Sequence, residues 1–190
     1  MVELLVIGIT GASGAPYAKR LLEELASRKL RFSVVSTEMG RKIFEIETGV
    51  TIDSLSNKLG FRHFDSGELD SPLASSGFPL SGVIIVPCSL KRLSSISMGY
   101  ANDLLDRIAV NSLRTKRKLV LVIRETPIGE IEIENMLRAS RAGAIIMPAS
   151  PGFYHRPREV EDLVNFVVGK ILELLNLEHE LYERWRYDEY

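Results

Sequence analysis

The fold is decided by the stretch LLVIGITGASGAPY, residues 4–17. Its nearly continuous apolar start is typical of a strand at the centre of a parallel sheet that is covered on both faces. Gly8, Gly11 and Gly14 then allow the backbone to turn sharply and to approach a ligand closely. Pro16 falls where the first helical turn begins, a position where its missing N–H costs nothing. The stretch therefore predicts a strand, a tight loop and a helix whose first N–H groups point at an anion.

The spacing of these glycines does not identify the ligand. A phosphate group or the edge of a flavin suits unpaired amides at a helix start. The pattern is not the Gly-x-Gly-x-x-Gly of dinucleotide enzymes, and no Gly-Lys-Ser/Thr follows as a P-loop requires. A purely structural role for the glycine-rich turn is the other interpretation.

The composition excludes several classes of protein. The 190 residues are 45% hydrophobic and 26% charged with a net charge of −1, which is typical of one globular domain without a nucleic-acid footprint. One cysteine, Cys88, cannot form an internal disulfide, and His63, His155 and His179 lack the spacing of metal ligands. No apolar run reaches the roughly 20 residues of a membrane span, and no cleavable signal precedes the first strand. We expect a cytoplasmic protein without membrane or nucleic-acid partners.

The rest of the chain alternates strands and helices. Further strands are predicted at 32–35, 82–86, 119–123 and 144–147, with a short edge strand near 61–64 and helices at 17–28, 38–47, 90–98, 102–118, 130–141 and 158–175. Periodicity weakens between residues 53 and 80, which predicts a long loop. The alternation predicts an α/β fold, a three-layer, doubly wound parallel sheet in one domain over residues 1–175. Residues 176–190 form a charged, aromatic tail that we expect to pack on a neighbouring subunit.

Polar side chains follow several of the predicted strands. Because ligand-facing loops gather at the carboxyl ends of parallel strands, we expect these side chains to converge in one crevice. They are Ser13, Ser36 or Thr37, Ser89, Arg124 and Tyr154. For Ser36 and Thr37, a role only as a helix cap is equally consistent with the residues. The adjacent Arg124 and Glu125 are either an exposed ion pair or an anion clamp beside an acid/base group.

Six motifs in this order give the chain a resemblance to the UbiX/Pad1 family of flavin prenyltransferases over nearly its whole length. They are Thr10-Gly11-Ala12-Ser13-Gly14, Pro87-Cys88-Ser89, Asn102-Asp103-Leu104-Leu105-Asp106-Arg107, Arg124-Glu125-Thr126-Pro127, Glu134-Asn135-Met136-Leu137 and Pro148-Ala149-Ser150-Pro151-Gly152-Phe153-Tyr154-His155.

The resemblance implies a flavodoxin-like or Rossmann-like subunit that assembles as a homododecamer with FMN between subunits. It also implies a reaction, in which a dimethylallyl group passes from dimethylallyl monophosphate to N5 and C6 of reduced FMN. The product, prenylated FMN, would serve a UbiD-type decarboxylase, and no metal would be required.

The resemblance further implies roles for individual residues. The expected flavin contacts are Gly11, Ala12, Ser13, Ser36 or Thr37, the segment Cys88, Ser89, Leu90 and Lys91, and Arg124. The expected contacts of the prenyl phosphate are Tyr154 and Lys170, with Arg107 and Arg114 nearby or supplied by another subunit. Glu47 and Glu125 match the acidic catalytic residues, and Glu125 is our first choice for proton transfer.

Three positions depart from the family pattern. Lys170 is expected to replace an arginine, Arg114 a lysine, and Lys91 a glycine of some members. The first two keep the charge but change the hydrogen-bond geometry. These differences concern the prenyl donor more than the reaction class.

Two rival functions remain open. An FMN-dependent cysteine decarboxylase would share the fold, but its catalytic histidine and its Pro-x-Met-Asn-x-x-Met-Trp segment are missing from this sequence. A non-catalytic flavin- or nucleotide-binding module would use Glu38 as a ribose acceptor. That second function does not explain the presence of four polar residues, Arg124, Glu125, Tyr154 and Lys170.

Overall fold

The fold is built on one six-stranded parallel sheet, seen in a computed structural model that describes residues 4–185. The strands are β1 Leu4–Ile9, β2 Phe32–Ser36, β3 Arg62–Asp65, β4 Leu80–Cys88, β5 Lys118–Ile123 and β6 Ile145–Pro148. Their order across the sheet is β3-β2-β1-β4-β5-β6, and every neighbouring pair is parallel. The short strand predicted near 61–64 is confirmed as β3, which lies at one edge.

Helices cover both faces of this sheet. They are α1 Ala15–Ser27, α2 Glu38–Thr48, α3 Ile52–Leu59, α4 Leu90–Ser97, α5 Leu104–Arg114, α6 Glu130–Ala142 and α7 Val160–Leu174. Buried side chains of α1, α2, α3 and α7 form one apolar core, and those of α4, α5 and α6 form a second core on the opposite face. The predicted three-layer, doubly wound, flavodoxin-like architecture is therefore confirmed. Within residues 4–185, no helix is long and apolar enough to cross a membrane.

The long loop predicted between residues 53 and 80 is wrong at its start, because α3 lies there. Thr51 caps this helix by accepting a hydrogen bond from the backbone N of Ser54 at 3.1 Å, and Gly60 ends it in the left-handed conformation with φ of 79°. Only Ile52 and Leu55 are buried. Two apolar positions are too few to produce a clear helical period. The capping residues Thr51 and Gly60 are therefore the sequence features that indicate this helix.

The order of the strands creates a crevice between β1 and β4. The chain runs from β1 outward through β2 to β3, and then returns to the other side of β1 as β4. Loops after β1 and β4 therefore leave the sheet in opposite directions, and ligands of open α/β sheets bind at such a switch point. This topology places residues 10–14 next to residues 88–89.

Candidate active site

The floor of the crevice is held together by Thr10. Its buried hydroxyl donates to the carbonyl O of Pro87 at 2.7 Å and accepts from the backbone N of Ser89 at 2.9 Å. One side chain thus joins the ends of β1 and β4. Thr10 belongs to the first motif of the chain, but the sequence alone assigned it no task.

The anion at the start of α1 is Glu47, a side chain of the protein itself. Its Oε2 accepts hydrogen bonds from the backbone N of Gly14 at 2.9 Å and of Ala15 at 2.8 Å. Burial raises the pKa of this carboxyl, but hydrogen bonds from the Ser13 side chain and from these two amides, together with the charge of Arg124, lower it overall. Glu47 is therefore ionised at neutral pH and positioned beside Ser13.

Arg124 reaches the same loop from the end of β5. Its Nε donates to the carbonyl O of Ser13 at 2.9 Å, and its Nη1 lies 4.0 Å from Oε1 of Glu125. Glu125 is exposed, and its Oε1 accepts from the backbone N of Thr126 at 3.0 Å. The sequence allows two interpretations of Arg124 and Glu125, an exposed ion pair or an anion clamp beside an acid/base group. The structure brings Arg124, Ser13 and Glu47 into one cluster, with Glu125 adjacent.

The end of β4 contributes a buried cysteine and a capped helix. Cys88 is fully buried, and burial raises the pKa of its thiol to about 12, so it is no thiolate nucleophile at neutral pH. The Ser89 hydroxyl caps α4 by accepting from the backbone N of Arg92 at 3.3 Å. Lys91 is exposed in the first turn of α4, which carries no acidic residue. Lys91 and the positive end of this helix make the spot suitable for a phosphate group.

The two candidate hydroxyls at the end of β2 have different surroundings. Ser36 is fully buried, and its Oγ lies 2.7 Å from Nε2 of His63, whose Nδ1 lies 2.6 Å from Oδ1 of Asp53. Thr37 is half-buried and caps α2 by accepting from the backbone N of Gly40 at 3.0 Å. Sequence reasoning missed the Ser36–His63–Asp53 chain because it depends on the pairing of β3 with β2.

Tyr154 and Lys170 meet through an aromatic side chain. The ring of Tyr154 packs edge-on against Phe166 with centroids 5.8 Å apart, and Nζ of Lys170 lies 5.6 Å from the centroid of Phe166. The His155 ring stacks on Phe166 at 5.3 Å, and its two nitrogens are buried with no hydrogen-bond partner among the described residues. Phe166, on α7, is a component of this group that the sequence did not single out.

Arg107 and Arg114 lie on α5, on the other face of the sheet. Nε of Arg107 donates to the carbonyl O of Ala74 at 3.2 Å, and Arg114 is exposed in the last turn. Seven residues separate them, which is about 10 Å along a helix. In the part of the chain that the structure describes, no hydrogen bond or ion pair joins either arginine to the Ser13, Glu47 and Arg124 cluster.

The start of the predicted tail folds back on its own chain. The carbonyl O of Glu178 accepts from Nη1 of Arg28 at 2.6 Å, and Tyr182 packs on Phe166 with ring centroids 4.7 Å apart. Residues 186–190 lie outside the described part, so packing of the tail on a neighbouring subunit stays a prediction.

Comparisons with known proteins identify the family of this chain. The model of the family described as Flavoprotein matches residues 2–172. The flavin prenyltransferase UbiX of Methanothermobacter thermautotrophicus is 40% identical over 185 residues, which are 97% of this chain and 96% of the relative.

Solved structures give the same result. AnUbiX (PadA1), in complex with FMN and dimethylallyl pyrophosphate, superposes with a TM-score of 0.94 at 34% identity and 98% coverage of both chains. A dodecameric FMN-dependent UbiX-like decarboxylase from Escherichia coli O157:H7 gives a TM-score of 0.92 at 36% identity, with 96% of this chain and 99% of that chain covered.

The FMN-dependent cysteine decarboxylase SpaF shares only the fold, with a TM-score of 0.63 and 15% identity over 76% of this chain and 82% of that chain. With a family model that spans most of its length and relatives about 40% identical from end to end, the chain belongs to the Flavoprotein family and, within it, to the UbiX flavin prenyltransferases.

Proposed function

We propose that this protein is a flavin prenyltransferase that transfers the dimethylallyl group of dimethylallyl monophosphate to N5 and C6 of reduced FMN. The observation that carries the proposal is the cluster of Ser13, Glu47 and Arg124 at the switch point of the sheet. It combines a hydroxyl, a fixed carboxylate and a guanidinium at the place where open α/β sheets bind ligands.

We assign flavin mononucleotide to the crevice between β1 and β4. A Cβ added at Gly11 would lie 2.7 Å from Cβ of Met39, so the loop after β1 and the start of α2 approach more closely than a side chain permits. We assign the flavin to this loop, to Arg124 and to Thr37, whose exposure suits contact better than that of the buried Ser36. The phosphate of FMN would bind at residues 88–91, where α4 begins.

The reaction requires a nucleophile, a leaving group and the loss of a proton. When bound, reduced FMN supplies the nucleophilic nitrogen and carbon. Departure of an allylic phosphate develops negative charge, and a fixed cation such as Arg124 lowers that barrier. Glu125, exposed beside Arg124, would accept the proton that leaves from C6. Glu47 would hold the loop and supply a second carboxylate.

Tyr154 and Lys170 would bind the phosphate of the prenyl donor. A phenol and an ammonium that share contact with Phe166 supply hydrogen-bond donors at the end of β6. Arg107 and Arg114, on the opposite face, would reach this site only from another subunit. A homododecamer is consistent with that arrangement, and one UbiX-like relative is dodecameric.

We further propose that the protein acts in the cytoplasm and that its product is used by a UbiD-type decarboxylase. The resemblance of the motifs supports the second statement. A cysteine decarboxylase finds less support, because the likeness to SpaF concerns the fold alone. A non-catalytic flavin- or nucleotide-binding module finds little support as well, because Glu38, its expected ribose acceptor, pairs with Lys42 at 2.6 Å on the surface of α2.

The test is anaerobic incubation of the protein with reduced FMN and dimethylallyl monophosphate, followed by mass spectrometry of the released flavin. We expect the mass of FMN to increase by one C5 prenyl unit. A parallel reaction with dimethylallyl pyrophosphate determines which donor is used. Unmodified FMN with both donors would refute the proposed function.

A further inference from the structure

Glu173 is the centre of a charged network around Lys170. Its Oε2 accepts from Nζ of Lys170 at 2.9 Å, and its Oε1 accepts from the hydroxyl of Tyr182 at 2.5 Å. Nε2 of His179 and Nε of Arg184 lie 3.5 Å and 3.8 Å from the same Oε1. One carboxylate on α7 therefore contacts Lys170 and three side chains of the C-terminal segment, residues 178–185, which folds back on α7. These side chains are His179, Tyr182 and Arg184.

The protonation states of this network are set by its geometry. Burial raises the pKa of Glu173, but hydrogen bonds from Tyr182 and Lys170 lower it overall, so the group is a carboxylate at neutral pH. Burial lowers the pKa of His179 and leaves its imidazole neutral. The cations that face Glu173 are thus Lys170 and Arg184.

The position of the C-terminal segment on α7 depends on a glycine. A Cβ added at Gly169 would lie 2.5 Å from the ring of Tyr182 and 2.6 Å from the ring of His179. Tyr182 consequently lies directly over α7, and Nζ of Lys170 is 5.2 Å from its ring centroid. Lys170 is held between a carboxylate and an aromatic ring, while its side chain keeps 40% exposure to solvent.

An ammonium has three N–H donors, and Glu173 occupies one of them. An incoming phosphate would therefore compete with a resident anion for Lys170. When the phosphate binds, Arg184 and Tyr182 still neutralise and hydrogen-bond the Glu173 carboxylate, so the exchange leaves no buried charge alone. When the phosphate leaves, Glu173 is within reach to bind Lys170 again.

We propose that Glu173 is a positioning residue that acts through Lys170 as a built-in competitor of phosphate, weakening the binding of the anionic donor and promoting the release of inorganic phosphate. The proposal rests on the proposed function, in which Lys170 binds the donor phosphate. In that reaction the allylic C–O bond breaks, the phosphate departs with the electron pair, and the competitor returns Lys170 to its starting state.

The experiment measures the binding of inorganic phosphate to the FMN-loaded protein by isothermal titration calorimetry at constant ionic strength. Glu173→Gln keeps the shape and one acceptor oxygen but removes the negative charge. We expect phosphate to bind on the order of tenfold more tightly, because phosphate no longer has to displace a carboxylate from its charge-assisted hydrogen bond with Lys170. Inhibition of the prenyl transfer by phosphate should strengthen by the same factor.

Glu161→Gln is the matched control. It removes the same charge from an exposed position on the same helix, twelve residues or about 18 Å away. We expect its phosphate affinity to stay within twofold of the wild-type value, because exposed charges at that distance are screened. Glu173→Met is a second neutral variant that tests the same proposal if Glu173→Gln fails to fold.

A double-mutant cycle separates action through Lys170 from a general charge effect. In a Lys170→Met background, Glu173→Gln should leave phosphate affinity unchanged. Equal tightening in both backgrounds would overturn the proposal, as would unchanged or weaker phosphate binding in Glu173→Gln itself. A C5 adduct of FMN with unaltered phosphate binding would refute only the role of Glu173. Phosphate binding that responds to Glu173→Gln in a protein that forms no adduct would refute only the prenyl transfer.

Discussion

At the scale of single residues, Glu47 combines a structural contact with a position in the site. It occupies the helix start at which the glycine-rich loop predicts an external anion, and it satisfies two backbone N–H groups there. In the function that we propose, the flavin would meet a carboxylate at this point, and its phosphate would bind elsewhere. The first turn of α4, which carries the exposed Lys91 and no acidic residue, is the position that we assign to this phosphate.

Glu47→Gln should lower the free energy of unfolding by about 1 kcal/mol at pH 7, because the amide keeps an acceptor oxygen at the start of α1 but loses the negative charge that the helix dipole favours there. The folded-state pKa of Glu47 lies below its reference value of 4.5. Its contribution is therefore present above about pH 4.5 and is lost as the pH falls through the folded-state pKa. Urea denaturation of both proteins between pH 7 and pH 3.5 measures the difference. A stability gap that persists unchanged at the lowest pH would contradict the assignment.

Ser13→Ala should weaken the binding of FMN by roughly two- to tenfold, the range expected for one hydrogen bond. The hydroxyl of Ser13 also hydrogen-bonds Glu47, and its carbonyl oxygen anchors Arg124. Fluorescence titration of FMN measures the affinity. Ser27→Ala, at the exposed far end of α1, is the control and should bind FMN as the wild type does. Unchanged affinity in Ser13→Ala would count against the placement of the flavin.

Glu125→Gln should retain FMN but lose about a hundredfold or more of the rate of adduct formation, the usual effect of removing a general base. The amide keeps the acceptor for the backbone N of Thr126 but cannot take up the proton. Rapid-quench single-turnover reactions provide the rate, with Glu130→Gln as the exposed control. If the variant forms product at the wild-type rate, proton transfer must be assigned to another group.

At the scale of secondary-structure elements, α2 packs closely against β1 and carries a residue of the candidate site. Gly40 lies in the first turn of α2, and a Cβ there would lie 2.4 Å from the carbonyl O of Ile9. The same helix carries Glu47 in its last turn. A shift of α2 therefore moves the carboxylate that holds the loop after β1.

Gly40→Ala should destabilise the protein by about 1–3 kcal/mol, because overpacking against the backbone of β1 outweighs the gain in helix propensity. We also expect weaker FMN binding, since Glu47 is displaced. Thermal denaturation and flavin titration test both effects. Gly77→Ala is the control, because the nearest atom to its added Cβ lies at an ordinary 3.7 Å. Equal stability of the two variants would show that α2 adjusts freely.

At the scale of the whole molecule, the separation of the cationic residues favours an assembly. Lys170 and Tyr154 lie at the end of the sheet near α7, whereas Arg107 and Arg114 lie on α5 beyond the opposite face. A site that uses all four must be shared between subunits. This separation supports a homo-oligomer, of which the proposed homododecamer is one form.

We expect light scattering coupled to gel filtration to give a mass of about 256 kDa, which is twelve chains of 21.3 kDa. If the site is shared, mixing Tyr154→Phe subunits with Arg114→Ala subunits after dissociation should restore part of the activity, because some sites then contain neither substitution. A monomer of 21.3 kDa that is fully active would rule out a shared site.

Most of the fold could be predicted because its signals are local. The apolar runs of β1, β4 and β5 and the amphipathic helices between them follow from periodicity within about ten residues. Helix α3 was missed because only two of its residues are buried. The Ser36–His63–Asp53 chain and the Glu173 network were also missed, because their members are separated in sequence and meet only when β3 pairs with β2 and the C-terminal segment returns to α7.

The fold class, the family and the polar loops that follow the strands could be predicted from the sequence alone, because strand and helix periods and contiguous motifs are properties of short stretches of chain. Which groups meet depends on the tertiary structure. It assigned Glu47 to the start of α1, directed Ser36 away from the crevice towards His63, and bound Lys170 to Glu173. The physical reason is that hydrogen bonds and ion pairs act over a few ångströms in space, and the order of the strands, which brings distant residues within that range, is not written in any local pattern.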